Sequence, residues 1–331
     1  MTDEIAQELL ALAEKQGFAL AGFTDLELSQ VDRDRLNQYV AEERYGEMQW
    51  FRNHQDLRLS PQRLLSYSKQ DDAGQPIARS AMVLAMLYRD SDYEKAVTKS
   101  KYKIARYAVG RDYHKVIKKR ATVILHRLAE LNITARLCVD SAPVAEKLLA
   151  RKAGIGWQGK NSLMIHPDMG SFFLLGVILL DCNPPEEPAS EITDHCRSCN
   201  LCVAACPTGA LEPYRIDPRR CLSYLTIEAK DDSSLFQEER SDRVFGCDIC
   251  QEVCPYNRSP KGRAALRTEE EFAPWPLIYS MLEEMPADDL WQKTAGMALR
   301  RIDLEKMKLN YEFADKAKQT RQAAQNKLSE S

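Results

Sequence analysis

The stretch "CRSCNLCVAACP", residues 196–207, decides part of the fold, because it places four cysteines at the C-x2-C-x2-C-x3-C-P spacing of bacterial ferredoxins. A second stretch, "CDICQEVCP" at residues 247–255, repeats that spacing without its leading cysteine, and Val244 stands at the missing position. Each [4Fe–4S] cluster takes four thiolates. The two stretches are therefore one ligand short of two complete clusters.

The ligands follow from a spacing rule: in each run three cysteines hold one cluster and the last crosses to the other. Cys221, in "RRCLSYLTIE", takes the remaining position because it is the one cysteine between the two runs. The expected ligands are Cys196, Cys199, Cys202 and Cys254 for the first cluster, and Cys206, Cys221, Cys247 and Cys250 for the second.

Two zinc sites are the alternative for these eight cysteines. Zinc sites favour paired C-x2-C spacing, whereas here three cysteines follow one another at that interval ahead of a Cys-Pro. The spacing therefore predicts paired iron–sulfur clusters, which carry electrons but do not specify a reaction. Cys138 and Cys182 lie apart in apolar, strand-like stretches, and we expect both to be buried structural thiols.

The rest of the chain has the composition of an ordinary globular protein. Its 331 residues are 44% hydrophobic and 29% charged, enough for two domains with their own cores. A net charge of −3 means that any nucleic-acid contact must come from a local basic surface. The start, "MTDEIAQELL", has no features of an export signal, and the longest apolar run, 172–180, is too short to span a membrane. We expect a cytoplasmic monomer without membrane contact.

Helical and strand-like patterns alternate over the first 182 residues. Helices are predicted over 3–16, 29–48, 115–132 and 142–154, and strands over 18–26, 81–88, 133–140 and 170–181. The alternation predicts an α/β (α+β) domain over residues 1–185, with "NPPEEP", 183–188, as a linker. A ferredoxin-like domain over 186–262 and a helical tail over 263–331 follow it.

Two motifs in this region are misleading. "GIGWQG", 154–159, matches the dinucleotide fingerprint, but a helix precedes it and a strand follows, which is the wrong order. "DYHKVI", 112–117, begins like the D-x-H-x-x-G segment that ligates cobalamin through histidine, but Ile117 replaces the glycine. We therefore expect His114 to be a surface or hydrogen-bonded histidine rather than a cobalt ligand.

Six stretches, in this order, resemble the epoxyqueuosine reductase family: "RYAVGRDYH", "VDSAPVAEK", "GIGWQGKNSLMIHPDMGSFFLLGVILLD", "CRSCNLCVAACPTGAL", "RRCLSYLTIE" and "CDICQEVCPYN". The resemblance covers residues 1–258, and "CLSYLTIE" is far more specific than a ferredoxin signature. It implies a domain that binds cobalamin without a lower protein ligand, and a ferredoxin-like domain that supplies electrons from an unidentified donor. The implied reaction reduces epoxyqueuosine to queuosine at the wobble position of tRNA.

The resemblance also implies that Asp140, in "VDSAPVAEK", is the proton donor and a cofactor contact. Epoxide reduction needs a proton on the departing oxygen, and desolvation beside a corrin could hold a carboxylic acid protonated. Taken without the resemblance, Asp140-Ser141-Ala142-Pro143 is more typical of a helix N-cap.

Further cofactor contacts are implied for "GKNSLMIH", 159–166, whose glycine and polar side chains would line the corrin. Without the resemblance this segment is a polar turn. With weaker candidates included, the implied contacts besides Asp140 are Arg63, Tyr107, Lys160, Asn161, Ser162 and His166.

Basic residues concentrate in one stretch. Residues 99–127 contain ten Lys or Arg and one acid, Asp112, which is typical of a solvated helix face or of a surface that contacts the phosphates of tRNA. The tail lacks the helical-repeat module that ends the longer family members. If the basic stretch does not bind tRNA, we expect the contacts in the tail, around Arg300, Arg301, Lys306 and Lys308.

Two other functions fit part of the sequence. A reductive dehalogenase-like enzyme would share cobalamin and two clusters, but such enzymes are longer and normally exported. A non-catalytic electron-transfer protein would combine the ferredoxin module with a docking domain, and it would not bind cobalamin tightly.

Overall fold

The computed structural model describes residues 1–65, 76–89, 93, 100–187, 189–230, 242–259, 270–273 and 287–329. Parts of three predicted segments lie outside these residues. They are Lys99 of the basic stretch, Pro188 of the linker, and residues 263–269, 274–286 and 330–331 of the tail.

A four-stranded antiparallel sheet forms the centre of the first domain. Its strands are β1 (Leu20–Asp25), β2 (Ser80–Leu87), β3 (Ala135–Cys138) and β4 (Phe173–Leu180), in the spatial order β1-β2-β4-β3. Every residue of β2 is buried, because the strand has neighbours on both edges and side chains packed on both faces. The predicted central strand over 81–88 is confirmed.

Helices cover both faces of this sheet. Helices α1 (Asp3–Lys15) and α3 (Tyr113–Glu130) pack on the face that contains Met82 and Leu84. Helix α4 (Glu146–Lys152) packs on the opposite face. This two-sided arrangement confirms the predicted α/β (α+β) class, and the alternation of buried faces along β2 follows from the two-residue period of a strand.

Helix α2 (Gln30–Ala41) is shorter than the helix predicted over 29–48. The chain leaves the helix through two left-handed residues, Glu43 and Gly46, with φ values of 49° and 56°. A side chain at Gly46 would place its Cβ 2.5 Å from the hydroxyl of Tyr224, so the glycine permits close contact with the cysteine-rich part of the chain.

The cysteine-rich part is built from short elements. It contains the helices Leu201–Ala204, Leu222–Ile227, Ile249–Glu252 and Pro255–Arg258, and a small hairpin of Leu211–Glu212 with Arg215–Ile216. The strand Arg243–Phe245 pairs in parallel with Lys103–Ile104, so this part is joined to the first domain through backbone hydrogen bonds. The short helices Gln49–Asn53 and Gln55–Leu59 and the hairpin Trp157–Gln158 with Met164–Ile165 complete the first domain.

The tail packs against the body of the protein. Helices α5 (Ala287–Lys293) and α6 (Leu304–Ser329) flank the 3-10 turn Ala298–Arg301. Their apolar side chains share one buried cluster with Ile104 and Phe245. The helical character predicted for the tail is confirmed in its described part, whereas the domain boundaries at 185 and 262 stay predictions. No described helix is both long and apolar enough to cross a membrane.

Candidate active site and cluster sites

Asp140 lies on the loop between β3 and α4. Its φ of 54° is left-handed, a conformation that costs energy for a residue with a side chain and that is common at functional sites. The N-cap of α4 is Ala145, without a side-chain hydrogen bond, so the N-cap interpretation of Asp140 is wrong. Instead, the backbone N–H of Asp140 donates to Glu146 Oε1 at 2.7 Å.

The first turn of α3 holds the side chain of Asp140. The carboxylate of Asp112 caps this helix: Oδ1 accepts from the backbone N–H of His114 at 3.0 Å and lies 2.8 Å from its ring Nδ1. The other ring nitrogen, Nε2, lies 3.3 Å from Asp140 Oδ2, and the side chain of Tyr113 also bonds Asp140. The prediction of a hydrogen-bonded His114 is confirmed, and its partner is the residue expected to be the acid.

These contacts shift the pKa values of Asp140, His114 and Glu146 in different directions. Desolvation acts to raise the pKa of Asp140, but His114 and Tyr113 outweigh it and hold that pKa below its usual value. The expectation that desolvation beside a corrin holds Asp140 protonated concerns the cofactor-bound site and stays a prediction. Desolvation and the charge of Asp140 raise the pKa of Glu146 to about 8, and the bond to Asp140 raises the pKa of His114.

Lys147 joins the loop of Asp140 to the 159–162 turn. The side chains of Asp140 and Lys147 are exposed, and the amine of Lys147 donates to the carbonyl of Ser162 at 2.8 Å. Desolvation lowers the pKa of Lys147. We call Asp140 with Tyr113, His114 and Glu146 the Asp140 site, and the 159–162 turn borders it.

Ser162 has an unsatisfied polar atom at this place. It is 6% exposed and has a left-handed φ of 64°. Its hydroxyl, Oγ, is buried without a hydrogen-bond partner among the described residues. Leaving a buried hydroxyl unpaired costs about 1–3 kcal/mol, so the geometry favours a partner supplied by a ligand.

Two other predicted cofactor contacts are directed at the cysteine runs. Lys160 donates to the carbonyl of Arg197 at 2.6 Å and to Asn200 Oδ1 at 3.0 Å, which fixes the loop of the first run. The amide of Asn161 reaches the carbonyl of Cys250 at 3.5 Å. These side chains are occupied in joining the two parts of the protein because each lies between the turn and a cysteine loop.

Two of the remaining predicted contacts, His166 and Arg63, bond to residues near them in the sequence. His166 Nδ1 accepts from the backbone N–H groups of Asp168 and Met169 at 3.2 and 3.3 Å, and burial lowers its pKa. Arg63 pairs with Asp56 at 3.2 Å, and no contact among the described residues joins it to Asp140. These positions tie His166 to its own turn and Arg63 to its neighbouring helix.

Tyr107 belongs to the group around Asp140. It lies in the 3-10 turn Arg106–Ala108, and its ring centroid is 6.0 Å from that of Tyr113 and 6.2 Å from that of Phe245. Burial raises its pKa, and the charges of Asp248 and Asp140 raise it further. Tyr107 therefore connects the acid to the strand that leads into Cys247.

The eight cysteines fall into two groups by their mutual electrostatic effect. Where a thiol pKa is raised, burial is the largest cause and the nearby thiolates add to the rise. Cys202 is affected by Cys196 and Cys199, and Cys254 by Cys196 and Cys202. In the other group, Cys221 is affected by Cys206, Cys247 by Cys221, and Cys250 by Cys247 and Cys221.

These pairwise effects run within the two ligand sets predicted from spacing, with one exception, and the ligand sets stay predictions. Among the described residues, no group of three or more Cys, His, Asp or Glu side chains is arranged to hold a metal ion. Cys250 is additionally affected by Cys202, a member of the first set, so the two groups are neighbours. Two sulfurs also accept hydrogen bonds: Cys196 from the indole of Trp157 at 3.5 Å, and Cys206 from the backbone N–H of Ala210 at 3.3 Å. Such bonds stabilise thiolate charge and tune cluster potentials. Outside the clusters, Cys138 is buried as expected and Cys182 is partly buried.

A buried ion pair fixes the clusters to the active site. Arg106 and Asp248 are 4% and 2% exposed, and Asp248 Oδ2 accepts from both the backbone N–H and the guanidinium of Arg106, at 2.8 and 3.0 Å. Arg106 also donates to Glu252 at 2.9 Å. This member of the basic stretch is structural, because its charge is fully engaged inside the protein.

The basic stretch has several of its cations in ion pairs. Lys119 and Arg120 share Glu271, at 3.7 and 2.7 Å. Lys115 and Lys118 are exposed on α3, and the ion pairs of the described residues include neither. Lys115 and Lys118 are therefore the exposed cations of this helix outside those ion pairs, and the tRNA surface on this stretch stays a prediction.

Sequence patterns assigned no role at Asp140 to Tyr113, Glu146 or Arg301, all of which act on that residue or its neighbour. Tyr113 and Glu146 lie within the motifs RYAVGRDYH and VDSAPVAEK. Their approach to Asp140 depends on how α3 and the loop before α4 meet in space. Spacing along the chain does not record that meeting.

Comparison with known proteins agrees with this geometry. A family model described as a 4Fe–4S double cluster binding domain matches residues 195–257. A second, described as epoxyqueuosine reductase QueG, DUF1730, matches residues 72–141. The epoxyqueuosine reductase of Leadbetterella byssophila is 34% identical over 315 residues, which cover 94% of this chain and 98% of that protein.

Solved structures show the same fold. A structure of epoxyqueuosine reductase with an epoxyqueuosine-modified tRNA-Tyr stem loop is 26% identical and has a TM-score of 0.75, over 94% of this chain and 80% of that one. A structure of the Bacillus subtilis enzyme, with an aspartate catalytic loop swung out of the active site, is 26% identical and has a TM-score of 0.73, over 94% of this chain and 81% of that one.

The fold and the paired cysteine sites define an oxidoreductase with two [4Fe–4S] clusters. The extent of the match identifies it more closely. The chain belongs to the epoxyqueuosine reductase family.

Proposed function

We propose that this protein reduces epoxyqueuosine at the wobble position of tRNA to queuosine, with Asp140 as the proton donor. The observation that carries the proposal is the hydrogen-bonded group of His114, Asp140 and Glu146. Tyr107 lies between Tyr113, which bonds Asp140, and Phe245, in the strand that precedes Cys247. The cytoplasmic location, the monomeric state and the electron donor stay predictions.

The chemistry requires both electrons and protons. Conversion of an epoxide to an alkene breaks two C–O bonds and releases the oxygen as water, so it consumes two electrons and two protons. Two one-electron clusters match the electron demand. Both protons must reach the departing oxygen. An acid that contacts the substrate can deliver them.

Asp140 suits this role through its neighbours. Binding of cofactor and substrate against Asp140 would remove water from its carboxyl group, and desolvation raises the pKa of such a group. His114, whose own pKa is raised, lies 3.3 Å from Asp140 and is the immediate source of a proton. Asp140 passes that proton to the departing oxygen, and Glu146 holds its loop in place.

Two groups beside Asp140 support cobalamin as the cofactor. The unpaired hydroxyl of Ser162 and the carbonyl of Ser162, shared with Lys147, would face the amide side chains of a corrin. His114 is engaged by Asp112 and Asp140, so the structure offers no free histidine there as a lower ligand among the described residues. Cobalamin, when bound, would supply the reductive opening of the epoxide. Lys160 and Asn161 are assigned instead to the interface with the cysteine loops.

Two observations count against the competing functions. Membership in a family of reductases is at odds with a non-catalytic electron-transfer protein. A dehalogenase-like activity would require a different substrate, whereas a related structure binds an epoxyqueuosine-modified tRNA stem loop.

The test is turnover of epoxyqueuosine tRNA by anaerobically purified protein supplied with cobalamin and a chemical reductant, with queuosine measured by mass spectrometry. Asp140→Asn should keep its iron and its cobalamin spectrum but lose about 10²–10⁴-fold in rate, the usual contribution of general acid catalysis. Glu130→Gln, an exposed change on α3 away from Asp140, is the matched control. An Asp140→Asn variant that runs near the wild-type rate would refute the assignment.

A further inference from the structure

The segment after α5 lies against the active site. The carbonyl of Gly296 accepts from the backbone N–H of Asp112 at 2.8 Å, and Met297 pairs with Arg111. Asp112 is the residue that holds His114 beside Asp140. The following 3-10 turn, Ala298–Arg301, contacts the turn Arg106–Ala108 that bears Tyr107. A part of the tail thus forms a wall beside the first turn of α3 and Tyr107.

Arg301 projects from this wall. Leu299 and Ile302 are buried and fix the turn, whereas the side chain of Arg301 is 57% exposed. Its Nε and Nη2 donate to the carboxylate of Glu228, with Nη2 bonding both oxygens, at distances of 3.1–3.3 Å. Glu228 is the C-cap of the helix that begins after Cys221. The guanidinium is therefore oriented rather than free to rotate.

The turn that bears Arg301 contacts the turn that bears Tyr107, and the charge of Arg301 is felt there. It contributes to the lowered pKa of Asp140, after desolvation, His114 and Tyr113, and it opposes the burial that raises the pKa of Tyr107. Nη1 donates to none of the described residues. Two nitrogens anchor the side chain, and the third is left to meet a ligand.

The other basic residues of the tail are engaged elsewhere. Arg300 stacks on Trp291 at 3.5 Å and donates to its carbonyl. Lys306 donates to the carbonyl of Ala229 at 2.6 Å, and Lys308 pairs with Asp288 at 3.0 Å. Of the four tail cations that the sequence indicated, Arg301 is the one that these contacts place beside Tyr107 and Asp140.

We propose that Arg301, oriented by Glu228, binds a backbone phosphate next to the modified nucleotide of the substrate. The inference rests on the proposed function, because it requires a nucleic-acid substrate. A base that enters an enzyme pocket leaves the stack of its strand, and its flanking phosphates remain at the rim. A guanidinium held by a carboxylate presents its remaining donors to a phosphate with little loss of side-chain entropy.

The experiment compares Arg301→Gln with the wild-type holoenzyme. The KM for epoxyqueuosine tRNA should rise about tenfold or more, as expected for loss of a charged hydrogen bond. The log–log salt dependence of kcat/KM should flatten by about 0.7, the value for one phosphate of a single strand. The kcat at saturating tRNA should fall far less than the KM rises, and its pH profile should move only slightly, because Arg301 influences the pKa of Asp140 less than desolvation, His114 and Tyr113 do. Arg301→Lys should keep the salt slope but not the full affinity.

Arg300→Gln is the matched control, since it removes the same charge one residue away and should alter neither KM nor slope. Binding of an epoxyqueuosine stem loop, measured directly, separates this proposal from the proposed function. If the wild type binds the stem loop without reducing it, the proposed function fails while the Arg301 comparison still applies. An Arg301→Gln variant with unchanged binding, or one that loses only kcat with a shifted pH profile, would overturn the phosphate assignment.

Discussion

Cys221 completes the second group of cysteines. It starts the helix Leu222–Ile227, burial raises its thiol pKa, and the charge of Cys206 raises it further. A cysteine in this environment is a poor thiolate unless a metal compensates its charge. The position is therefore suited to iron, although it stands outside the usual spacing of the second run.

Replacing Cys221 by alanine tests the ligand assignment. We expect Cys221→Ala to lower the iron content from about eight per chain toward four, because each cluster takes four thiolates. The measurement is iron and sulfide content with the visible spectrum of anaerobically purified protein. Cys138→Ala is the control, since it removes a buried thiol outside both groups. Eight irons and an unaltered spectrum in Cys221→Ala would show that the second cluster has another ligand.

Asp140 and Glu146 form a second residue-scale relationship. One hydrogen bond joins the backbone of Asp140 to the carboxyl of Glu146, and their pKa values are shifted in opposite directions. Paired acids whose environments separate their pKa values are typical of acid–base sites. The sequence pointed to Asp140 through family resemblance, whereas the role of Glu146 follows from contacts across a loop.

At the scale of elements, periodicity was a sound guide to the sheet and its long helices. Strands β2 and β4 are long apolar runs with no competing interpretation, and both were located to within a few residues. The short helices Gln49–Asn53 and Ile249–Glu252 were not foreseen, because a single turn has too few residues to show a period. The arrangement around Asp140 also escaped prediction, since its residues come from the first turn of α3 and the loop before α4, with the tail beside them.

Helix α3 joins the active site to an exposed basic surface. Its first turn holds Asp140 through His114, and Lys115 and Lys118 follow on the solvent side. If these lysines bind tRNA phosphates, Lys115→Gln with Lys118→Gln should flatten the log–log salt dependence of tRNA binding by about 0.7–0.9 for each phosphate that is no longer neutralised. The measurement is the KM for tRNA over a range of salt concentrations.

A charge-matched control is available near the C-terminal ends of α1 and α3. Lys15→Gln with Arg127→Gln removes two positive charges where α1 and α3 meet, away from the first turn of α3. We expect this control to leave the salt slope unchanged. An equal effect of both double variants would indicate a general charge effect, and an unaltered slope in the first would make these lysines a solvated helix face.

At the scale of the whole molecule, the tail contacts the segments around Cys221 and Cys247 as well as the elements beside Asp140. Asn310, on α6, is 1% exposed, and its amide donates to the carbonyl of Thr226 at 2.8 Å and to that of Val244 at 3.0 Å. The first carbonyl belongs to the helix that follows Cys221, and the second to the strand that precedes Cys247. The tail therefore supports both segments that bear the predicted ligands Cys221 and Cys247.

Asn310→Ala should thus destabilise more than the tail. It leaves two buried carbonyls without their partner, at a cost of about 1–3 kcal/mol each. We expect a lower unfolding midpoint, and on mild anaerobic heating an early loss of about half of the iron, because the elements around Cys221 and Cys247 loosen first. Thr320→Ala, an exposed change on the same helix, is the control. If the two variants lose iron at the same rate, α6 is peripheral to the cluster, and the tail contributes to function through Arg301 alone.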